Sequence, residues 1–316
     1  MAELIQQARY APDTVTQEVI AGLCLDTACV APKYLYDTLG SRLFEAICAL
    51  PEYYPTRTEA AIFAAHATEI AQRSGHGTTL IDLGAGNCAK AARLFPTLQP
   101  TQYVALDIAT DFLHDAVARL QQRFPAIAMA GVGMDFSNEL RLPALVGADR
   151  RLFFYPGSSI GNFSPLAALK FLRHVRVACD DAGGILISVD LVKDTAILDA
   201  AYDDALGVTA AFNLNLLRHL NRVAGTDFKV TDWRHRGFFN PAQSRIEMHL
   251  EARSKVVVHW LDGERCFTAG ERIHTENSYK YTQQGFTDLL RQAGFGDVKT
   301  WTDPQDWFMV CHARAG

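Results

Sequence analysis

Short apolar runs alternate with amphipathic stretches from about residue 60 to residue 195. The runs typical of buried strands are "TTLIDL", "QYVALDI", "AIAMAGVGMDF", "RRLFFY" and "GGILISVDLV". Between them, "NCAKAARLFPTL", "ATDFLHDAVARLQQRF" and "SPLAALKFLRHVRVAC" have helical periodicity. Strands that alternate with helices of this length predict an α/β protein with a doubly wound, Rossmann-like parallel sheet and right-handed crossovers.

The flanking regions follow different patterns. Residues 14–50 and 196–222 are periodic as helices, whereas residues 244–282 alternate as antiparallel strands would. The last thirty or so residues return to a helix followed by a strand. We therefore predict four segments: residues 1–59 as N-terminal helices of a substrate domain, 60–195 as the Rossmann-like core, 196–285 as a substrate-binding α+β insertion, and 286–316 as a return to the core.

Composition and charge narrow the classes of function. The chain has 316 residues, of which 49% are hydrophobic, and its formal net charge is −5. This balance gives no signal for nucleic acid or an anionic membrane, and no apolar run reaches the ~20 residues of a membrane helix. The start, "MAELIQQARYAP", lacks the basic region and apolar core of a secretory signal.

Cysteine and histidine usage predicts a compartment and argues against a metal. The seven cysteines are odd in number and contain no C-x-x-C pair, which is typical of reduced thiols, so we expect a cytoplasmic protein. The ten histidines do not cluster at metal-ligand spacing, and no metal site is predicted. Nothing in the sequence indicates an obligate protein partner.

Acidic residues follow three successive predicted strands. Asp82 precedes the glycine loop of "LIDLGAGN", Asp107 ends "VALDI", and Asp135 with Phe136 ends the third strand. A carboxylate beside the loop suits a cation better than a pyrophosphate, and an acid at the second strand end can hold ribose hydroxyls. Asp135 and Phe136 are placed to bind and pack an adenine. Each acid alone could equally be a helix cap or a turn residue, but together they favour S-adenosylmethionine, which carries a sulfonium and no phosphate.

The stretch "RIHTENSYKY", residues 272–281, alternates without a clean apolar face. A strict period of two places His274, Glu276 and Ser278 on one side. Residues two apart on a strand are separated by about 6.6 to 6.8 Å, and partners hydrogen-bonded to the two nitrogens of an imidazole are about 7 Å apart. Glu276 and Ser278 therefore match the length of an imidazole, although a surface Glu and a surface Ser on an edge strand remain the alternative from composition alone.

Seven motifs, in this order, resemble those of the histidine Nα-methyltransferases of ergothioneine biosynthesis: "YYPTRTE", "LIDLGAG", "GSSIGN", "DLVKD", "AYDDALGVTAAFN", "RIEMHL" and "TENSYKY". The resemblance extends from about residue 31 to the end of the chain. It implies a class I methyltransferase core, a substrate domain, S-adenosylmethionine as cofactor and L-histidine as small-molecule substrate. Members of this family methylate the histidine α-amine three times to give hercynine, so the same activity is implied here.

The resemblance also implies roles for individual residues. Tyr36 would stand near the amine and the incoming methyl group, which makes it the catalytic candidate. Together with Asp82 from the strand-end pattern, the implied cofactor-binding residues are Gly84, Gly86, Lys90, Asp107, Asp135 and Phe136. The implied substrate-binding residues are Tyr53, Gly157, Asn162, Tyr202, Met248, Glu276 and Ser278.

Some positions leave alternatives open. Asn277, Tyr279 and Tyr281 stand where members of the family have a small or apolar residue, Cys and Phe, which leaves room for the same N-methylation of another amino acid or small amine. A non-catalytic nucleotide-binding regulator is an alternative from another class. Asp82 and the missing third glycine of the loop argue against an NAD-dependent dehydrogenase.

Overall fold

Thirteen strands and ten α-helices form in the part of the chain that the structure, a computed structural model, describes: residues 3–6, 12–108, 110–136 and 140–316. The strands are β1 (Glu3–Gln6), β2 (Thr79–Leu83), β3 (Gln102–Asp107), β4 (Ala128–Gly133), β5 (Arg151–Tyr155), β6 (Gly184–Asp190), β7 (Trp233–Asn240), β8 (Arg245–Ala252), β9 (Val256–Trp260), β10 (Gly263–Phe267), β11 (Arg272–Tyr279), β12 (Gly296–Thr302) and β13 (Phe308–Arg314). The α-helices are α1 (Pro12–Leu23), α2 (Thr38–Ile47), α3 (Tyr54–Ser74), α4 (Ala89–Ala92), α5 (Phe95–Leu98), α6 (Thr110–Arg123), α7 (Pro165–Ala178), α8 (Thr195–Tyr202), α9 (Val208–Ala224) and α10 (Gln283–Gln292).

The chain divides into two compact units. The first contains the described parts of Met1–Arg9 and Pro55–Val192 together with Lys280–Gly316. The second contains the described part of Tyr10–Tyr54 together with Lys193–Tyr279. The roles of these units as cofactor and substrate domains stay a prediction.

The first unit is built on one mixed sheet with the order β1-β4-β3-β2-β5-β6-β13-β12. The first six strands in this order run parallel to one another, and β13 and β12 complete the sheet in antiparallel fashion. Strand β2 is buried along its whole length because both faces of the sheet are covered, which explains why its sequence is mostly apolar apart from Thr79 and Asp82. The predicted α/β, doubly wound fold is confirmed.

Two apolar cores cover the two faces of this sheet. On one face, Ile81 and Phe153 belong to a cluster that includes Phe171 of α7 and Phe286 of α10. On the other face, a second cluster joins Tyr103 and Phe154 to side chains of α3 and α6. The strand order reverses between β2 and β5, so the loops that follow these two strands leave the sheet at its topological switch point, where open α/β sheets bind ligands.

Two predicted elements of the first unit are wrong in detail. The single helix expected over "NCAKAARLFPTL" is broken into α4 and α5, because Pro96 lacks an N–H and its ring clashes with the carbonyl of Ala92 in a continuous helix. The chain near its start, predicted to belong to N-terminal helices, forms the short strand β1, which pairs in parallel with β4.

The second unit packs helices on a three-stranded antiparallel sheet with the order β11-β8-β7. Helices α8 and α9 lie against β7 and β8, and α1 and α2 pack on α9. A separate hairpin is formed by β9 and β10. Strand β7 is absent from the prediction because Arg and His alternate along "WRHRGFFN" and hide its inward face.

Candidate active site

The loop after β2 is held against the end of β3 in the first unit. Gly84 donates its backbone N–H to the Leu106 carbonyl at 2.8 Å, and Gly86 donates to Oδ2 of Asp107 at 2.8 Å. Both glycines have positive φ, 72° and 52°, which side chains rarely adopt. A Cβ at Gly86 would meet no atom within 4 Å, so the loop presents open backbone at the carboxyl edge of the sheet.

Aromatic packing brings Phe136 to the same loop. A Cβ built at Gly84 would lie 3.8 Å from Cζ of Phe136, and the Phe136 ring packs 6.1 Å from the rings of Tyr155 and Phe171. Asp135 is partly exposed beside it. The structure thus brings together four of the predicted cofactor residues: Gly84, Gly86, Asp107 and Phe136.

Asp82 lies deeper than the loop. Its side chain is only 2% exposed, and Oδ2 accepts a hydrogen bond of 2.8 Å from the Tyr103 hydroxyl. Its other oxygen, Oδ1, is buried and has no hydrogen-bond partner among the described residues. Burial raises the pKa of Asp82 to about 7, although the Tyr103 hydrogen bond works in the opposite direction.

These observations fit a cationic cofactor that carries a ribose. The orphaned Asp82 oxygen and the strand-end carboxylate of Asp107 supply acceptors and negative charge, and the open glycine loop lets a ligand approach the backbone. A pyrophosphate would be repelled by the same acids.

Lys90 lies in the first turn after the glycine loop and forms an ion pair. Its Nζ lies 2.7 Å from Oε2 of Glu59, a residue of α3. The other carboxylate oxygen of Glu59 accepts a hydrogen bond of 2.6 Å from the backbone N–H of Gly157. Glu59 is absent from the predicted site, although it closes the motif "YYPTRTE". Its partners are 31 and 98 residues away, so the motif alone gives no sign of them.

Gly157 and Asn162 lie in the loop after β5, at the switch point. Gly157 has φ of 78°, and Asn162 ends the short 3-10 helix Ser159–Asn162. Ser164 caps α7 by accepting from the Ala167 N–H at 3.3 Å. The N-cap of α7 is therefore Ser164 and not Asn162.

In the second unit, three tyrosines of the predicted site pack together with other aromatic side chains. Tyr36 packs edge-on against Phe44 and Phe212 at 5.6 and 5.5 Å, and Tyr53 packs against Phe44 and Tyr202 at 6.1 and 6.0 Å. Burial raises the pKa of Tyr53 well above its ordinary value. Phe44 and Phe212 were missed because apolar residues at helical spacing are ordinarily core residues.

A β-bulge at Thr275 reverses the faces of β11. His274 pairs with His249, but the next paired residue is Glu276, opposite Met248, so Thr275 is the extra residue. The strict period of two that groups His274 with Glu276 and Ser278 is therefore wrong. His274 stacks on His249, 4.8 Å away, on the opposite face.

The face that carries Glu276 and Ser278 also carries Met248. Glu276 lies opposite Met248 and Ser278 opposite Ile246 in the pairing of β11 with β8. The Tyr202 hydroxyl donates to Oγ of Ser278 at 2.9 Å. Glu276 also contributes to the raised pKa of Tyr53, so the predicted substrate residues of this unit converge.

The opposite face of the same sheet is a charged network. Asn277 pairs with Glu247 and Tyr279 with Arg245 across the strands. The Arg245 guanidinium bonds both Glu247, at 2.7 Å, and the Tyr279 hydroxyl, at 2.7 Å. Burial favours a high pKa for Glu247, yet hydrogen bonds from Arg245, His249 and Asn240 lower that pKa to about 2. Asn277 and Tyr279 thus point away from Glu276 and Ser278.

Two further residues, also missed, fix the backbone at Tyr202. His235 Nε2 lies 2.8 Å from the Tyr202 carbonyl, and its Nδ1 lies 2.9 Å from Nδ2 of Asn213. An amide N–H donates to Nδ1, so the imidazole carries its proton on Nε2 and donates to Tyr202. Burial lowers the pKa of His235, which favours this neutral form. The motif "AYDDALGVTAAFN" contains Asn213, but the sequence does not show that His235 is the partner of this residue.

Neither a metal centre nor a membrane span emerges from the described residues. No group of three or more His, Cys, Asp or Glu side chains among them could hold a metal ion. None of the helices in the described ranges combines the length and the apolar character that crossing a membrane requires.

The sheet order, the acid-flanked glycine loop and the buried acid beneath it fit the predicted class, an S-adenosylmethionine-dependent methyltransferase. The model of the family described as "Histidine-specific methyltransferase, SAM-dependent" matches residues 15–315. The chain belongs to this family of histidine-specific methyltransferases. The family predicted from the motifs and the predicted cofactor are both confirmed.

Individual relatives agree with the family. The chain is 38% identical over 303 residues to Histidine N-alpha-methyltransferase of Mycolicibacterium smegmatis, with 94% of each chain covered. It is 38% identical over 293 residues to Histidine N-alpha-methyltransferase of Mycobacterium tuberculosis, which covers 91% of this chain and 90% of that protein. Ergothioneine biosynthesis protein 1 of Neurospora crassa is 31% identical over 288 residues, 85% of this chain and 31% of that protein.

Proposed function

We propose that the protein transfers three methyl groups in succession from S-adenosylmethionine to the α-amine of L-histidine and so produces hercynine. The observation that carries this proposal is the common face of Glu276 and Ser278 beside Met248, with Tyr202 bonded to Ser278. Family membership supports the substrate and the cofactor.

The imidazole would be bound through both of its ring nitrogens. A Glu276 carboxylate oxygen accepts the N–H of the ring. The Tyr202 hydroxyl donates to Oγ of Ser278, and a serine hydroxyl can itself donate as well as accept, which suits the bare ring nitrogen. Met248, opposite Glu276 on the neighbouring strand, offers an apolar, polarizable contact for the ring.

When bound, S-adenosylmethionine supplies an electrophilic methyl group. The residues of the chain then have to orient a neutral α-amine in line with the methyl group and the sulfur. Tyr53 remains a neutral phenol because its raised pKa excludes the phenolate, so it acts as a hydrogen-bonding group and not as a base. The rings around Tyr36 provide π-faces that tolerate an amine becoming a quaternary ammonium.

The departures from the family pattern do not favour another amine. Asn277 and Tyr279 face Glu247 and Arg245, away from the proposed imidazole site. Tyr281 belongs to the first unit, where its ring packs 5.0 Å from Phe286. The Asn277 and Tyr279 side chains therefore lie outside the face that carries Glu276 and Ser278.

Mass spectrometry of histidine incubated with the enzyme and S-adenosylmethionine tests the proposal. We expect a product heavier than histidine by about 42 Da, the mass of three added methyl groups that replace protons. Phenylalanine, which has the same α-amine but no imidazole, is the matched control and should remain unmodified. A mass shift with phenylalanine and none with histidine would overturn the assignment.

A further inference from the structure

We propose that Glu59 is a positioning residue of the cofactor site, which acts by holding the Lys90 ammonium and the turn at Gly157 in one arrangement. The inference rests on the proposed function and on the roles that the family resemblance implies, in which Lys90 binds the cofactor and Gly157 lines the substrate pocket. It assigns a role to a residue outside the predicted site.

Glu59 connects three segments of the first unit. One carboxylate oxygen accepts from the Gly157 backbone N–H at 2.6 Å and from the Ser188 hydroxyl of β6. The other accepts from Lys90 Nζ at 2.7 Å. The glycine-loop helix α4, the loop after β5 and strand β6 thus meet at one side chain.

Because Glu59 is buried, its hydrogen bonds to Gly157, Ser188 and Lys90 strongly restrict the positions of these groups. The residue is 2% exposed, and a buried carboxylate is costly unless each of its oxygens is hydrogen-bonded. The Lys90 side chain is 40% exposed, and an exposed lysine paired with an exposed acid would be weakly held. Here Glu59 is buried and held in place on α3, so the Lys90 ammonium is bound at a defined position.

Gly157 shows how tightly the arrangement is packed. A Cβ at this position would lie 2.8 Å from Lys90 Nζ, so any side chain here would force the ammonium to shift from its present place. Its N–H is directed at Glu59 and also lies 2.9 Å from Oγ of Ser188. Gly157 therefore shapes the pocket through its missing side chain, while its N–H is used within the protein.

The bond to Glu59 orients the Lys90 ammonium toward the cofactor site. An ammonium has three N–H donors, and the Glu59 bond uses one of them. The remaining donors of Lys90 are directed by that bond toward an anionic group such as the carboxylate of an amino-acid-like ligand. Without Glu59 the flexible lysine stem would lose this orientation.

Calorimetry with S-adenosylhomocysteine tests the proposal without relying on turnover. In Glu59→Gln, the amide oxygen can still accept from Gly157 and Ser188, but the amide N–H₂ faces the Lys90 ammonium and breaks the ion pair. We expect the Kd to rise about tenfold, the typical effect of one charge-assisted hydrogen bond. In a Lys90→Met background the same substitution should change the Kd less than about twofold. An equal loss in both backgrounds, or none in either, would overturn the proposal.

Glu69→Gln is the matched control on the same helix. Glu69 bonds the Trp301 indole N–H at 2.7 Å and Lys299 at 3.1 Å, and its substitution should leave the Kd unchanged. If Glu59→Gln fails to fold, Lys90→Met alone still decides the matter, since wild-type affinity in that variant refutes the proposal. Wild-type protein that binds S-adenosylhomocysteine but does not methylate histidine would refute the proposed function and leave the role of Glu59 intact.

Discussion

The two units carry their candidate residues on different parts of their sheets. In the first unit, Gly86, Asp107 and Gly157 lie at or just after the carboxyl ends of parallel strands. In the second unit, Glu276 and Ser278 lie within β11 itself, on one face. The topology of a parallel sheet brings the carboxyl ends of its strands together whatever their side chains are. Which face of the sheet a side chain occupies depends instead on the register of its strand, and a single extra residue moves the side chains that follow to the opposite face.

The second unit contains that extra residue. Thr275 is buried, and its hydroxyl donates to the Met248 carbonyl at 3.0 Å, which holds the bulge in place. Without the bulge, His274 would share a face with Glu276. With it, the histidine joins the charged network around Glu247, and the face of Glu276 is left to Ile273, Met248 and Ser278.

Loss of the Glu276 carboxylate should have the largest effect. In Glu276→Gln we expect kcat/KM for histidine to fall by about 100-fold or more, because the imidazole N–H loses a charged acceptor in a buried site. The Kd for S-adenosylhomocysteine should stay within about twofold of wild type. Steady-state kinetics and calorimetry on one preparation measure both quantities.

The adjacent Asn277 supplies the control for the face assignment. Asn277→Ala should change kcat/KM for histidine by less than about threefold, since its side chain lies on the opposite face. A loss comparable to that of Glu276→Gln would mean that the register of β11 has been assigned to the wrong face.

Substitution at a strand end of the first unit should give the reverse pattern. Asp107→Ala removes the acceptor of the Gly86 N–H and the acid expected to hold the ribose, so we expect the Kd for S-adenosylhomocysteine to rise about 50-fold. Asp180→Asn is the matched control at the amino-terminal ends of the parallel strands. There, Asp180 accepts hydrogen bonds from the backbone N–H groups of Arg150 and Arg151. Its Kd should equal that of wild type. Equal losses in the two variants would argue for a general loss of fold stability.

The Tyr202 hydroxyl should matter less than the Glu276 charge. In Tyr202→Phe, Ser278 loses a donor, and we expect KM for histidine to rise about tenfold with little change in kcat. Tyr34→Phe is a matched control in the same unit, because the Tyr34 hydroxyl donates to the exposed Glu18 carboxylate at 3.0 Å. A fall in kcat without a change in KM would contradict a role of Tyr202 in substrate binding.

The two units also differ in how far the sequence predicts them. Acids after successive apolar runs indicate the cofactor class, because parallel strand ends always meet at one edge. Glu59 was missed because its partners, Lys90 and Gly157, are 31 and 98 residues away. In the second unit the spacing of Glu276 and Ser278 predicts their common face, but the bulge at Thr275 has no local signal, and the roles of Tyr36 and Tyr53 came from family resemblance.

The smallest expected effect concerns the buried acid of the first unit. Burial raises the pKa of Asp82 to about 7, so its charge increases as the pH rises from 6 to 8. An analogue with an ammonium in place of the sulfonium, such as sinefungin, should then gain affinity relative to the neutral thioether S-adenosylhomocysteine, by about threefold.

The ratio of the two Kd values cancels the titration of groups that both ligands share. Asp82→Asn retains an acceptor for the Tyr103 hydroxyl but cannot ionise, so its ratio should stay constant with pH. A ratio that varies equally in the wild type and in this variant would assign the pH dependence to another group and leave Asp82 with a purely structural role.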